Sequence, residues 1–112
     1  MKIIFIHQNF PGQFRHLAPA LARDGHQVIG IGINKPAHPT PGVQVILHHP
    51  QNLDKKSSAK PSGELQDHHA KVVRGKSVAH VLTSLKTEGF VPDLICAHSG
   101  WGEAYFIKDV FP

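Results

Sequence analysis

Two histidines stand directly after apolar segments of the chain, and both could carry acid–base or hydrogen-bond chemistry. His7 follows the run Lys2–Ile6, and His98 follows Asp93–Ala97. An imidazole titrates near neutral pH, so it could carry a proton, and it could also hydrogen-bond a hydroxyl or a phosphate. The alternative is a histidine that only satisfies the backbone groups of its own loop. We take His98 as the candidate catalytic residue and His7 as a candidate substrate contact.

The loop after the first apolar run offers three more candidate substrate-binding residues, Asn9, Gly12 and Gln13. Backbone N–H groups between a strand and a helix, together with the positive end of the helix, favour phosphate or another anion. Gly12 would let a ligand approach the backbone closely, although a single glycine in such a turn can also be purely geometric. The loop lacks the GxGxxG spacing of dinucleotide binders and the lysine of a P-loop, so neither NAD binding nor NTP hydrolysis is indicated.

The segment after His98 supplies the candidates Gly100, Trp101 and Glu103. An indole at the mouth of a crevice could stack on the face of a sugar, or it could simply pack. A final helix is predicted over residues 102–109, which would put Glu103 in its first turn. There the carboxylate could contact substrate or interact with the helix dipole.

The composition restricts the partners of the chain. The 112 residues suffice for one domain, residues 1–112, and the formal charge is +4. The Lys and Arg residues are scattered and few aromatic residues interleave with them, which disfavours nucleic acid, whereas a basic face could meet anionic substrates or an anionic membrane surface. No apolar run reaches the roughly 20 residues of a transmembrane helix, and no signal peptide is evident. We therefore expect a cytoplasmic protein that can lie peripherally on the inner face of a membrane.

Neither a metal nor a cofactor is predicted. The histidine pairs His48-His49 and His68-His69 are adjacent in sequence, whereas metal ligands on one helical face lie three or four residues apart. We interpret both pairs as solvated surface. Cys96 is the only cysteine, so no intrachain disulfide can form, and its apolar surroundings predict a buried small side chain.

Apolar strands that alternate with helical patterns are typical of a parallel sheet covered on both faces. With right-handed crossovers, the pattern predicts a Rossmann-like α/β fold with four strands in the order 3-2-1-4. Strands 1 and 4 are then neighbours where the winding reverses, and ligands bind beyond the carboxyl ends of strands at that point. His7 and His98 should meet there. The predicted strands are residues 2–7, 26–33, 43–47 and 93–97, and the predicted loops are residues 34–42 and 50–63. The predicted helices are residues 14–24, 64–88 and 102–109. In the first of them, Pro19 either kinks the helix or delays its start to about Ala18. The predicted apolar face of the second consists of Leu65, Val72, Ala79, Leu82 and Leu85.

Two blocks of sequence, residues 2–21 and 93–103, together resemble the amino-terminal region of family 4 glycosyltransferases, and the similarity extends over essentially the whole chain. The resemblance implies the GT-B architecture, in which two Rossmann-like domains enclose the active site. The amino-terminal domain of such enzymes holds the acceptor, the carboxyl-terminal domain holds the nucleotide-sugar donor, and the transfer retains the anomeric configuration. The loop around Gly12 would approach the donor phosphates and the acceptor, and His98 would contact the transferred sugar. Many family members have a double glycine where this chain has Pro11-Gly12.

The resemblance implies that the chain is the acceptor-side half of a retaining glycosyltransferase. The donor domain and its paired glutamates are missing, and the sequence stops at Phe111-Pro112 where another strand is expected. We therefore expect a fragment that is inactive by itself. Its partners would be a nucleotide-sugar donor, a carbohydrate or lipid-linked acceptor, and the missing donor domain. The alternative is a stand-alone module that binds a nucleotide or an anionic sugar. An open edge at strand 4 would also favour a homo-oligomer.

Overall fold

The computed structural model describes residues 1–50 and 63–112, and it is an α/β structure in which strands and helices alternate. The predicted loop 50–63 lies almost wholly outside the described residues. The final predicted helix is shorter than expected, because residues 101–106 form turns instead. The strands are β1 (Lys2–Ile6), β2 (Gln27–Gly32), β3 (Val43–Leu47) and β4 (Leu94–Ala97), and the helices are α1 (Leu17–Arg23), α2 (Gly63–Thr87) and α3 (Ile107–Val110), with a 3-10 turn at Gly12–Phe14.

The four strands form one parallel sheet in the order β3-β2-β1-β4, which confirms the predicted topology. Ile6 at the end of β1 pairs with Ile31 of β2 and with Ala97 of β4. The ladder continues for one residue past each strand, since the His7 N–H donates to the Ile31 carbonyl at 3.0 Å and the His98 N–H donates to the Ile6 carbonyl at 2.9 Å. The register therefore brings His7 and His98 to the same edge of the sheet.

Both faces of the sheet are covered at β1 and β2, which explains why these two strands are apolar after their first residue, whereas the outer strands β3 and β4 are only partly buried. Successive side chains of a strand point to opposite faces. Ile3 and Phe5 pack with Phe14 and Ala18 on the α1 face, and the partly buried Cys96 borders this cluster. On the other face, strands β1 and β2 pack against α2 and α3. The strands contribute Ile4, Ile6, Ile29 and Ile31, and the helices contribute Val78, Leu82 and Val110.

Pro19 does not kink α1, because the helix begins only at Leu17. Pro19 is then the third helical residue, where the backbone nitrogen has no intrahelical partner to lose. Of the two predicted alternatives, the delayed start is confirmed. The helix ends as expected at Gly25, which has φ +94.

The buried face of α2 differs from the predicted one. Leu65 is 59% exposed, and the buried positions of the helix include Val73 and Val78 as well as the predicted Leu82 and Leu85. The prediction for Leu65 is wrong because residues 65–68 of α2 are all exposed, and the buried positions of the helix begin only at Val73. No helix in the described ranges is both long enough and apolar enough to cross a membrane.

Candidate functional site

The backbone after β1 turns back over the His7 ring. The Asn9 N–H donates to His7 Nδ1 at 3.0 Å, which leaves the neutral ring with its proton on Nε2. Gly12 passes the other side of the ring, and a Cβ atom added there would lie 2.6 Å from Nε2. Gly12 has φ +48, a conformation that favours glycine. A residue without a side chain is thus required to leave room beside Nε2.

The loop after β4 repeats this arrangement around His98. The Gly100 N–H donates to His98 Nδ1 at 3.2 Å, so this ring too presents Nε2 as its donor. A Cβ atom on Gly100 would lie 2.8 Å from His98 Cε1, so the backbone here also lies against the ring. In both loops the chain itself fixes the tautomer of the histidine two residues earlier.

His7, His98 and Trp101 form one ring cluster at the carboxyl ends of β1 and β4, and we call it the histidine–tryptophan cluster. The His7 and His98 ring centroids are 5.1 Å apart. Trp101 lies 4.5 Å from His98 with a 32° angle between the planes, and it meets His7 edge-on at 5.2 Å. The predicted meeting of the two histidines is confirmed, and Trp101 joins them.

The surroundings of His7 favour its neutral imidazole. Burial, and then the neighbouring His98, lower the pKa of His7. Protonation of His7 at Nδ1 would also set its new N–H against the backbone N–H of Asn9. In the tautomers that the two loops fix, both rings of the cluster can donate a hydrogen bond from Nε2.

The other two candidates in the first loop do not join the cluster through their side chains. Asn9 Oδ1 accepts a hydrogen bond from Asn34 Nδ2, so the Asn9 side chain faces the loop after β2. Gln13 is exposed in the 3-10 turn, and no hydrogen bond connects its side chain to another described residue. Substrate contact by either side chain stays a prediction.

Glu103 is not in the first turn of a helix, because α3 begins only at Ile107. Its side chain is 1% exposed, and neither carboxylate oxygen has a hydrogen-bond partner among the described residues. Arg74 Nε lies 4.0 Å from Glu103 Oε1 and donates to the Trp101 carbonyl at 2.6 Å. Burial raises the pKa of Glu103, while its own backbone amide, Arg74 and His98 act in the opposite direction. Glu103 therefore lies inside the protein beside the cluster, and direct contact with substrate stays a prediction.

Two glycines explain why the loop bearing Trp101 and Glu103 can lie so deep. A Cβ atom on Gly102 would come 2.3 Å from the Lys71 carbonyl oxygen of α2. A Cβ atom on Gly75 of α2 would come 2.7 Å from the Gly102 carbonyl oxygen. The backbones of helix and loop thus touch directly, and Gly75, which weakens an isolated helix, is required for this contact.

The interpretation of His48 as solvated surface is wrong. His48 directly follows β3, where its N–H donates to the Gly32 carbonyl at 2.9 Å, and its side chain is 2% exposed. Nδ1 lies 2.8 Å from Ser77 Oγ of α2, while Nε2 is buried without a partner among the described residues. Burial, and then His49 and Arg74, lower the pKa of His48 to about 4. His49, in contrast, is exposed.

A comparison with protein families identifies the chain. Residues 24–112 match the model described as the glycosyl transferase family 4 group, which is well over half of the sequence. The chain belongs to this family. It therefore has a glycosyltransferase-related role. Searches of curated proteins and of solved structures gave no significant match.

In this family 4 domain, the matched residues contain β2 to α3 and so include His48, His98 and Glu103. The block of residues 2–21, which contains His7 and Gly12, lies wholly outside the match. Its place in the site follows instead from the sheet register, which brings His7 beside His98.

Sequence reasoning missed Arg74 and Ser77 of the family 4 domain. Both lie within α2, where a polar residue ordinarily indicates the solvent side. Ser77 is four residues after Val73, which places both on one side of the helix, and both are buried. A helical projection that included every buried position would have placed Ser77 on the sheet-facing side. Within residues 1–50 and 63–112, no group of three His, Cys, Asp or Glu side chains is arranged to hold a metal ion.

Proposed function

We propose that this chain is the acceptor-side domain of a glycosyltransferase that moves a sugar from a nucleotide-sugar donor to a carbohydrate or lipid-linked acceptor. The observation that carries the proposal is the histidine–tryptophan cluster at the switch point of a parallel sheet, in a chain of the family 4 group. Ligands of such sheets bind beyond the carboxyl ends of the strands at this point. A lipid-linked acceptor would bring the domain to a membrane surface from the cytoplasmic side.

The cluster has the chemistry to hold a sugar. The Nε2–H groups of His7 and His98 would donate hydrogen bonds to hydroxyl or ring oxygens, since Nδ1 of each ring is already engaged. The indole of Trp101 is partly exposed and offers an apolar face to the C–H side of a pyranose. Gly12 would let the acceptor or the donor phosphates reach the backbone of the first loop.

The domain alone should not catalyse transfer. The rings of the cluster can orient a hydroxyl and donate hydrogen bonds, but a sugar donor must also be held in line with that hydroxyl. Such positioning supplies a large share of the rate enhancement of two-substrate enzymes. In this proposal a second, donor-binding domain provides that part, so residues 1–112 form one of two domains. The purified chain should therefore show no sugar transfer from any nucleotide sugar.

The proposal is tested by titrating the isotope-labelled chain with candidate acceptor glycans and with nucleotide sugars, while backbone and ring NMR shifts are followed. We expect an acceptor glycan to shift His7, Gly12, His98 and Trp101. Tight binding of a nucleotide alone at these residues would instead favour the stand-alone binding module. Shifts that avoid the cluster with every ligand would refute the proposal.

A matched pair of variants separates the site from general stability. Gly12→Ala places a Cβ atom 2.5 Å from the His7 ring, and Gly25→Ala at φ +94 meets nothing within 4 Å. Both variants place alanine in a left-handed conformation, but only the first displaces His7. We expect at least tenfold weaker glycan binding for Gly12→Ala and unchanged binding for Gly25→Ala. Equal affinities would show that the loop around Gly12 does not contact the ligand.

A further inference from the structure

A concave surface lies beside the histidine–tryptophan cluster without including it. It is formed by the loop after β1, the start of α1 and the loop after β2, and it encloses about 510 Å³. We call it the basic cleft. None of the three rings of the cluster lines it, whereas Asn9 lies on the loop that borders both surfaces. Ligand sites in proteins commonly have volumes of about 300–1,000 Å³, so the cleft can hold a mono- or disaccharide.

The charge of the basic cleft has one sign. Arg15, His16, Lys35 and His38 line it, and no acidic residue does. Neither Arg15 nor Lys35 forms an ion pair with any residue in the described ranges. Unpaired cations around a concavity concentrate the field and attract anions. The planar guanidinium of Arg15 in addition matches the two oxygens of a carboxylate or phosphate.

The two loops that form the cleft are tied to each other. The Ile33 N–H donates to the Gln8 carbonyl at 2.9 Å, and the side chains of Asn34 and Asn9 are hydrogen-bonded. Several prolines restrict the backbone of both walls; they are Pro11, Pro36, Pro39 and Pro41. The cleft is therefore largely formed before a ligand arrives, which lowers the entropy lost on binding.

We infer that the basic cleft binds the anionic group of an acidic carbohydrate, and that the acceptor of this glycosyltransferase domain is accordingly a sugar carrying a carboxylate or a phosphate. The identification of the ligand as the acceptor rests on the proposed function, whereas the binding of an anionic sugar does not. The neutral donors of the cluster would hold the hydroxyl-bearing part of the acceptor, and Arg15 and Lys35 would hold its charge.

The inference is tested with ligands that differ only in charge. The labelled chain is titrated with digalacturonic acid and with its dimethyl ester, and in parallel with galactose 6-phosphate, galactose and inorganic phosphate. We expect the acid or the sugar phosphate to shift the amides of Asn9, Arg15, Asn34 and Lys35, with at least tenfold weaker binding of its neutral counterpart. The acid arm indicates a uronic acid acceptor and the phosphate arm a phosphorylated one. Equal binding of charged and neutral sugars, or inorganic phosphate binding as tightly as the sugar phosphate, would overturn the inference.

A matched charge change provides the control. Arg15→Gln removes a cation that lines the cleft, and Arg23→Gln removes an exposed cation at the other end of α1. We expect Arg15→Gln to weaken the charged ligand at least tenfold and Arg23→Gln to change it less than twofold. Similar effects of the two variants would mean that only net charge matters, and they would overturn the site.

The same titrations separate this inference from the proposed function. A neutral glycan that shifts the cluster and is insensitive to Arg15→Gln would leave the proposed function standing and overturn the anionic acceptor. An acidic sugar that shifts the cleft but never the cluster would support an anionic site there and count against one acceptor held across both surfaces.

Discussion

Alanine substitutions at Gly102 and Gly89 form a pair that measures the contact between α2 and the loop bearing Trp101. Gly102 has φ +92 and Gly89 has φ +90, so alanine meets nearly the same backbone strain at both positions. The surroundings differ, because a Cβ atom at Gly89 has nothing within 4 Å, while one at Gly102 would lie 2.3 Å from the Lys71 carbonyl oxygen. The difference between the two variants therefore reports the contact alone.

The expected magnitudes follow from these two terms. The left-handed conformation costs an L-residue about 1–2 kcal/mol, and this applies to both variants. Overpacking adds about 1–3 kcal/mol, and the upper end applies to Gly102→Ala because the atom in the way belongs to a helix backbone and cannot rotate aside. We thus expect Gly89→Ala to lower the free energy of unfolding by about 1–2 kcal/mol and Gly102→Ala to lower it by about 3 kcal/mol more. Small domains have a total stability of about 5–15 kcal/mol, so Gly89→Ala should fold across this range, and Gly102→Ala should fold when the parent stability lies above about 5 kcal/mol.

The measurement is urea unfolding followed by far-UV circular dichroism, together with the emission of Trp101, the only tryptophan of the chain. Gly102→Ala should also shift the native emission to longer wavelength, because the loop that carries Trp101 must move away from α2. Gly89→Ala should leave the native emission unchanged. If both variants lost the same stability and kept the same emission, the close approach of loop and helix described above would be wrong.

Four further predictions concern buried groups and the edge of the sheet. The pKa of His48 falls from 6.5 in the unfolded chain to about 4 in the folded one, so the unfolded state binds the extra proton and stability is lost as the pH falls from about 6.5 to 4. At 1.36 kcal/mol per pKa unit, the loss of stability is about 3 kcal/mol. His48→Gln should remove this part of the pH dependence when the free energy of unfolding is measured at pH 4–7.5. If the free energy of unfolding of parent and variant changed equally with pH, the prediction would be refuted. The raised pKa of Glu103 has the opposite effect on stability, because the folded state binds this proton more tightly than the unfolded state and so loses stability as the pH rises. Glu103→Gln lacks this loss and should become more stable relative to the parent as the pH rises from 4 to 7. A relative stability that did not change with pH would contradict this. Gly75→Ala should lower the free energy of unfolding by about 1–2 kcal/mol, because its Cβ atom would meet the Gly102 carbonyl oxygen. This cost outweighs the helix propensity, which favours alanine by about 1 kcal/mol. A stabilised variant would show that the loop moves aside easily. Finally, β4 is the outer strand on its side of the described sheet. We propose that its edge pairs with a second copy of the chain, so sedimentation at rising concentration should show a dimer. A strictly monomeric profile would argue against this pairing.

The strand order and the meeting of His7 with His98 could be predicted because they depend on local patterns. Each strand is apolar on both faces, which indicates a covered parallel sheet, and the crossover rule leaves few strand orders. Once β1 and β4 are neighbours, the residue after each strand must lie at the same sheet edge. The ring cluster is thus largely a consequence of where two apolar runs stop.

The positions of His48 and Glu103 could not be predicted in the same way. Both are polar residues that become buried through contacts with α2, which is distant from them in sequence. Their burial depends on small residues elsewhere, since Ser77 accommodates the His48 ring and Gly75 admits the loop before Glu103. No periodicity around either residue carries that information, and the sequence pattern therefore indicated a solvated histidine and a helix terminus.

The tautomers of His7 and His98 have a consequence for what the site can select. Each ring directs its lone pair at Nδ1 inward, toward a backbone N–H of its own loop, and directs its polar hydrogen at Nε2 away from that loop. A ligand group that brings only a polar hydrogen finds no acceptor on either imidazole. A group that brings oxygen lone pairs finds two donors whose spacing is set by neighbouring strands rather than by flexible side chains. In the proposed sugar complex, the sheet register would therefore set the distance between the two ligand oxygens that His7 and His98 contact.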